Sequence, residues 1–151
     1  MVFDVDAKDN LIRTCQCREG EICEKCLEQA KEILLMISDN IKELGYKDIH
    51  YVYSGRGYHI RIQDSELMKL DSIQRTDIVN YCLGAEVPQL DEGLQHFTVP
   101  FGYPKVYTNW FKYTVNHLDK TRQYSRLNRQ LKNDIINRRE LVNTGQWGLV
   151  R

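Results

Sequence analysis

Four of the five cysteines lie within twelve residues, and this cluster restricts the fold more than any other feature of the sequence. They follow the spacing Cys-x-Cys-x5-Cys-x2-Cys, at Cys15, Cys17, Cys23 and Cys26. Four thiolates at this spacing complete the tetrahedral shell of a structural Zn²⁺ ion and leave no ligand position open for chemistry. Disulfide bonds are the alternative, but they suit a secreted chain, and nothing near Met1 resembles a signal peptide. We therefore expect a small zinc knuckle at residues 13–27.

The N-terminal segment from Val2 to Asp9 places acidic residues inside an apolar run. Period-two alternation puts Phe3 and Val5 on one face of a strand and Asp4 and Asp6 on the other. The two aspartate Cα atoms would then be roughly 7 Å apart, and such carboxylates can share divalent cations. Solvated turn acids are the ordinary alternative, although unpaired like charges are costly to bury. The pattern favours Asp4 and Asp6 as ligands of Mg²⁺ or Mn²⁺.

A β-hairpin is predicted where two runs rich in Tyr, Val and Ile, 49–53 and 58–63, flank a glycine-containing turn. Glycine at positions 55 and 57 can adopt the positive φ angles of a tight turn and exposes backbone N–H groups. Arginine adds a planar fork of donors, so this tip suits a polyphosphate. A surface hairpin with incidental polar residues is the alternative. The candidate phosphate-binding residues are Ser54, Gly55, Arg56, Gly57, His59 and Arg61.

The register of this hairpin decides which residues share a face. A four-residue loop over 55–58 would put Ser54 opposite His59, with His59 and Arg61 on one face. A three-residue loop would turn Ser54 to the other face. Both alternatives remain open from the sequence.

One long helix is predicted from Glu24 to Leu44, because its apolar residues are spaced by threes and fours and Gly45 follows as a stop. Cys82 is expected to be a small core residue in a later helix. Further along, the pattern predicts a helical region at 64–83, a loop at 84–93, a short strand at 94–99, a turn at 100–104, an ambiguous helical stripe at 106–118 and a helix at 121–141.

The net charge of zero conceals an asymmetry. Residues 1–100 hold 11 Lys and Arg against 18 Asp and Glu, whereas residues 101–151 hold 10 against 3. A basic final third with aromatic residues can meet a nucleic-acid backbone, and the alternative is a basic helix face that pairs with the acidic part. No apolar run approaches the roughly 20 residues needed to span a bilayer, so we expect no membrane partner, and the absence of a targeting segment points to the cytoplasm.

These motifs carry a family resemblance. Phe-Asp-Val-Asp-Ala-Lys-Asp, a cysteine-rich knuckle, a helix and Val-Tyr-Ser-Gly-Arg-Gly-Tyr-His-Ile-Arg follow one another between Val2 and Gln63. This order resembles the catalytic small subunit of archaeal and eukaryotic DNA primases, and the single-arginine form is closer to the archaeal version. The segment from Phe97 to Leu118 resembles the family more weakly.

The resemblance implies a function for each motif. Asp4 and Asp6 match the catalytic metal ligands, the hairpin tip matches the loop that grips the triphosphate of the incoming nucleotide, and the four cysteines match a structural zinc knuckle. It further implies a nucleotidyltransferase that makes RNA primers from NTPs on single-stranded DNA, with a primase large subunit as partner and a location at the nucleoid, associated with replication. The expected fold is α+β: a palm-like mixed or antiparallel sheet flanked by helices.

The family also has a third metal-binding aspartate and a basic, His-containing motif, and neither has a match before Arg151. We therefore expect a partial catalytic core at residues 1–141 and a loose tail at residues 142–151. Two alternatives stay open. One is a non-catalytic, zinc-braced module that binds nucleotide, single-stranded nucleic acid or another subunit. The other is a repair or ligase-associated polymerase, although those relatives usually lack the knuckle.

Overall fold

The structure is a computed structural model, and it describes residues 1–10, 13–18, 20–86, 102–117 and 129–137. Helices and strands follow one another as an α+β arrangement. In chain order they are β1 (Val2–Asp6), α1 (Glu24–Glu43), β2 (Ile49–Tyr53), β3 (Gly57–Ile62), α2 (Ser65–Met68), α3 (Ser72–Leu83), α4 (Gly102–His117) and α5 (Arg129–Asn137).

The three strands form an antiparallel sheet in the order β1-β3-β2. The α1 helix packs on one face of this sheet, where the inward side chains of β1 and β3 are almost completely buried. The buried strand residues are Phe3, Val5, Ile60 and Ile62, and the buried apolar residues of α1 are Cys26, Ala30, Leu34, Ile37 and Ile41. Burial of each large apolar side chain contributes about 1.5–3 kcal/mol, so this layer is the main core. Among the described elements, none packs on the opposite face, which is called the open face below.

The predicted long helix is confirmed, with its end at Glu43 and Leu44 as its C-cap. Gly45 follows with φ of +94°, a left-handed conformation in which glycine avoids the Cβ penalty. The stop signal read from the sequence therefore works by the expected mechanism.

The hairpin is also confirmed, but its register matches neither sequence alternative. Tyr53 pairs with Tyr58 and Val52 pairs with His59, whereas the four-residue loop would have paired Ser54 with His59. Strand β2 ends at Tyr53 and β3 begins at Gly57, so the connection between the two strands is residues 54–56. His59 and Arg61 share a face as expected, because residues two positions apart on one strand point to the same side.

A second buried cluster joins α1, α3 and α4 at the C-terminal end of α3. The Cys82 carbonyl accepts hydrogen bonds from Asn40 Nδ2 at 2.9 Å and from Trp110 Nε1 at 2.8 Å. The Cys82 side chain is fully buried, which confirms the expectation of a core residue. Gly84 ends α3 with φ of +58°, and a Cβ there would come within 2.9 Å of Trp110 Cδ1. The three helices therefore meet at one carbonyl and one glycine.

We expect Asn40→Ala to lower the free energy of unfolding by about 1–2 kcal/mol, because a buried amide that donates to Cys82 is lost. Chemical denaturation measures this change. Asn109→Ala is the control, because Asn109 is exposed on α4 and its loss should have little effect. Equal effects of the two variants would show that the hydrogen bond from Asn40 to the Cys82 carbonyl adds no stability.

Two boundaries differ from the sequence expectation. The helical region 64–83 is divided into α2 and α3, because Asp71 caps α3 through a reciprocal pair of hydrogen bonds with Gln74. The turn expected at 100–104 is wrong from Gly102 onward, where α4 begins. Pro104 lies in the first turn of that helix, where a missing N–H removes no intrahelical hydrogen bond.

The ambiguous stripe at 106–118 is helical up to His117, and the expected helix at 121–141 is described only from Arg129 to Asn137. The predicted strand at 94–99 and the predicted tail at 142–151 lie outside the described residues. Over the described ranges, no helix combines the length and apolarity that a membrane crossing needs.

Candidate functional site

Strand β1 presents two carboxylates on the open face of the sheet. Phe3 and Val5 are 6% and 8% exposed beneath α1, whereas the Asp4 side chain is 68% exposed on the opposite side. Asp6 shares that side, and its side chain is 25% exposed. The period-two alternation read from the sequence therefore holds residue by residue.

Strand β3 brings the hairpin tip beside these carboxylates. Asp4 lies opposite His59 and Asp6 lies opposite Gly57. The Asp4 Oδ1 and His59 Nε2 atoms are 3.2 Å apart. Past the end of β1, the Ala7 N–H donates to the Arg56 carbonyl at 3.1 Å. The acidic pair and the glycine turn, separated by about fifty residues in the chain, are thus neighbours across one strand pair.

Gly57 is required by this close approach. A Cβ built on Gly57 would lie 2.1 Å from the Val5 carbonyl oxygen and 2.9 Å from the Asp6 Cα. Both are backbone atoms, so no side-chain rotation relieves the overlap. Gly55 is required for a different reason, since its φ is +84° and it faces open space.

The Asp6 carboxylate has its own local partners. The Lys8 N–H donates to Asp6 Oδ1 at 3.0 Å, and Lys8 Nζ lies 3.3 Å from Oδ2. The backbone hydrogen bond is the main cause that lowers the pKa of Asp6, and the charges of Lys8 and Arg56 act in the same direction. Asp6 therefore stays ionised over the pH range in which a carboxylate binds a divalent cation.

Of the other residues predicted to bind phosphate, two lie at the turn and one lies further along β3. Ser54 and Arg56 are exposed at the turn, and the Ser54 N–H donates to the Gly57 carbonyl at 3.0 Å. Arg61 shares the face of His59 but is two residues further along β3, level with Val2 and His50. Two strand residues correspond to roughly 7 Å, so Arg61 lies outside the immediate turn.

A cleft of about 270 Å³ opens beside β1. Its lining combines acidic residues, among them Asp4 and Asp6, with apolar side chains from α1 and the end of α3. Over the described ranges, no third thiol, imidazole or carboxylate converges with both aspartates as closely as the cysteines do with one another. The pair therefore offers an incomplete set of oxygen ligands, of the type that Mg²⁺ and Mn²⁺ prefer.

The cysteine cluster converges fully. The four Sγ atoms of Cys15, Cys17, Cys23 and Cys26 all lie within 4.8 Å of one another. Cys26 Sγ is 3.1 Å from Cys15 Sγ and 3.7 Å from Cys23 Sγ. Zinc–sulfur bonds of about 2.3 Å in a tetrahedron need sulfur–sulfur separations of about 3.8 Å, so this donor set fits a metal such as zinc.

The cluster is built onto the start of α1. Cys23 is the N-cap residue, and the backbone N–H of Cys26 is the main cause that lowers the pKa of the Cys23 thiol to about 7. Free N–H groups at a helix N-terminus favour a thiolate there. The Thr14 N–H donates to Gln29 Oε1 at 2.9 Å and Arg13 Nη1 donates to the Glu21 carbonyl at 3.1 Å, which ties the knuckle to itself and to the helix.

One tip contact was not singled out from the sequence. The Tyr53 hydroxyl donates to the Gly55 carbonyl at 3.1 Å, and its ring packs against Tyr58 with centroids 5.4 Å apart. A tyrosine inside a predicted strand has no local signal that distinguishes it from its neighbours. Its position directly before Ser54 was the only available clue.

These features define an α+β protein with four cysteines placed to hold a metal ion and, on its open sheet face, a carboxylate pair beside a glycine-containing turn. Comparison with known sequences agrees with that description. The family profile described as DNA primase small subunit matches residues 3–144. This chain belongs to the DNA primase small subunit family.

Archaeal proteins named DNA primase small subunit PriS are similar to this chain. The protein of Methanobrevibacter smithii is 42% identical over 97% of this chain and 48% of its own length. The protein of Methanothermobacter thermautotrophicus is 37% identical over 100% of this chain and 49% of its own length. The protein of Pyrococcus horikoshii is 38% identical over 76% of this chain and 36% of its own length. The chain thus spans about half the length of the first two relatives.

Proposed function

We propose that this chain carries the catalytic centre of a primase small subunit, which makes RNA primers from NTPs on a single-stranded DNA template. The observation that supports this proposal is the strand pairing that sets Asp4 against His59 and Asp6 against Gly57. A nucleotidyl transferase needs metal-binding carboxylates and a phosphate-binding turn next to each other. The family membership supports the same chemistry.

Asp4 and Asp6 are the residues that would hold Mg²⁺ or Mn²⁺. When bound, such an ion supplies positive charge that stabilises the attacking 3′-oxygen and the leaving pyrophosphate. The contribution of the chain is to place both carboxylates on one face of the sheet, beside the hairpin tip. The Lys8 backbone N–H lowers the pKa of Asp6, and His59 Nε2 lies 3.2 Å from Asp4 Oδ1.

The hairpin tip is the proposed site of the β and γ phosphates. Arg56 brings positive charge, while His59, Ser54 and the exposed tip amides bring further hydrogen-bond donors. Gly55 and Gly57 allow the turn and its approach to β1. Arg61 is proposed as a more distant phosphate contact on the same face.

The four cysteines are proposed to hold a structural Zn²⁺ ion that braces the connection between β1 and α1. With all four positions taken by sulfur, this ion would have no open position for substrate. The sheet would form part of the family's palm-like sheet, with a primase large subunit and single-stranded DNA as partners. The cytoplasmic location is part of the same proposal.

Binding of Mg²⁺–ATP tests the carboxylate pair directly. We expect Asp4→Asn and Asp6→Asn each to weaken metal-dependent ATP binding by about tenfold or more, because an amide replaces an anionic ligand. Isothermal titration calorimetry with and without Mg²⁺ measures this effect. Thermal melting should change little for Asp4→Asn, since its side chain is largely exposed.

Asp39→Asn is the matched control, because Asp39 is 72% exposed on α1 and forms a surface ion pair with Lys42. It should bind Mg²⁺–ATP like the parent chain. ATP binding that is independent of both metal and Asp4 would contradict the proposed site. Metal-dependent binding without nucleotide incorporation on a poly-dT template would instead support the non-catalytic nucleotide-binding module.

A further inference from the structure

Tyr53 holds the hairpin tip from the side opposite the carboxylates. In β2, Tyr51 and Tyr53 share the α1 side of the sheet, and the Tyr51 hydroxyl lies 2.5 Å from Ser38 Oγ of α1. Tyr53 is 57% exposed, so core burial does not account for its place. Its hydroxyl instead donates to the Gly55 carbonyl within the turn at 3.1 Å.

This hydrogen bond orients one peptide unit. The Gly55 carbonyl and the Arg56 N–H belong to the same trans peptide, so they point in nearly opposite directions. Because the Gly55 carbonyl faces the Tyr53 hydroxyl, the Arg56 N–H faces away from that hydroxyl. Asp4 and His59 lie on the face of the sheet opposite to that of Tyr53.

The next peptide unit is fixed from β1. The Ala7 N–H donates to the Arg56 carbonyl at 3.1 Å, and the Ser54 N–H donates to the Gly57 carbonyl at 3.0 Å. Among the described residues, no backbone acceptor takes the Arg56 N–H. The turn is therefore held on both sides of this amide.

We propose that Tyr53 is a positioning residue that aims the Arg56 backbone N–H at the terminal phosphates of a nucleoside triphosphate. This inference rests on the proposed function, because it assigns a ligand to the same turn. An aligned amide beside the Arg56 guanidinium forms a small anion-binding concavity. Tyr53 itself does not touch the ligand and acts through the Gly55 carbonyl.

Removal of the Tyr53 hydroxyl alone tests this role. We expect Tyr53→Phe to raise the dissociation constants of Mg²⁺–ATP and of inorganic triphosphate about fivefold, the size expected from one hydrogen bond. Binding of AMP, which lacks the terminal phosphates, should not change. Thermal melting should also stay the same, because the hydroxyl is at the surface.

A spectroscopic measurement separates orientation from general loosening. In the parent chain, inorganic triphosphate should shift the Arg56 amide proton downfield in two-dimensional NMR spectra, and in Tyr53→Phe this shift should be at least halved. Tyr51→Phe is the matched control, since it removes the hydroxyl that contacts Ser38 but leaves the turn intact. We expect it to lower the melting temperature and to keep the triphosphate affinity of the parent chain.

Three other results would each contradict the inference, and they differ in what they say about the proposed function. If Arg56→Gln and His59→Gln weaken triphosphate binding but Tyr53→Phe does not, the inference fails and the proposed function stands. If Tyr53→Phe weakens AMP and triphosphate binding equally, the tyrosine is not specific for the terminal phosphates. If the parent chain binds no triphosphate, both the inference and the proposed function fail.

Discussion

Cys23→Ser is expected to abolish zinc binding and to lower the free energy of unfolding by about 3 kcal/mol or more. The remaining three sulfurs cannot complete the tetrahedral shell, and structural zinc sites contribute about 10–16 kcal/mol to folding in small zinc-finger peptides. Cys26 is fully buried and Cys15, Cys17 and Cys23 pack against the same core, so the loss reaches the main hydrophobic layer. Elemental analysis gives the zinc stoichiometry, and thermal melting should fall by roughly 10 °C.

Cys82→Ala is the control for this experiment. Cys82 is buried in the junction of α1, α3 and α4, and burial raises the pKa of its thiol to about 12, as expected for an inert core cysteine. This variant should lose some stability but keep one zinc ion per chain. A Cys23→Ser protein that melts like the parent chain would show that the cluster has no structural role.

The core helix and the strands were predictable because their signals are local. The spacing of apolar residues in α1, the glycine after it and the alternation in β1 each depend on a few neighbouring residues. The boundary errors have the same origin. Pro104 suggested a turn at 100–104, although a proline in the first turn of a helix is compatible with either structure.

The arrangement of the candidate site could be predicted only in part. The period-two alternation of polar and apolar residues in β1 places Asp4 and Asp6 away from the core face. Their position opposite His59 and Gly57 depends on the pairing of β1 with β3. That pairing joins residues about fifty or more positions apart, and no local pattern specifies it. The order of strand, knuckle, helix and hairpin, together with the family resemblance, was needed to predict that the aspartates of β1 lie beside the hairpin tip.

The contacts that hold the site and the core together were not predictable. The Tyr53 hydrogen bond depends on a hairpin register that the sequence left open, and the register found differs from both alternatives. Asn40 and Trp110 meet at the Cys82 carbonyl from helices far apart in the chain. Buried polar groups need partners, but the sequence does not indicate which partner each one takes.

Gly57→Ala should be among the most damaging single substitutions at the proposed site. The new methyl carbon would lie 2.1 Å from the Val5 carbonyl oxygen, so β1 and β3 would have to separate or shift. Forced backbone shifts of this kind cost about 3 kcal/mol. Because Asp6 lies opposite Gly57, we expect the same change to displace the carboxylate from the turn and to abolish Mg²⁺–ATP binding.

Gly55→Ala separates this steric effect from a general effect of losing a glycine in the turn. Gly55 has φ of +84° but nothing within 4 Å of the place that an added methyl group would take, so alanine there meets backbone strain of about 1–2 kcal/mol and no collision. Denaturant unfolding should therefore rank Gly57→Ala as more destabilising than Gly55→Ala, and NMR should show loss of the cross-strand contact between Asp4 and His59 only in Gly57→Ala. If Gly57→Ala keeps parental stability and ATP affinity, β1 and β3 do not approach as closely as the proposed site requires. A gap between the two strands that accommodates a methyl group would leave the acids too far from the phosphate-binding turn.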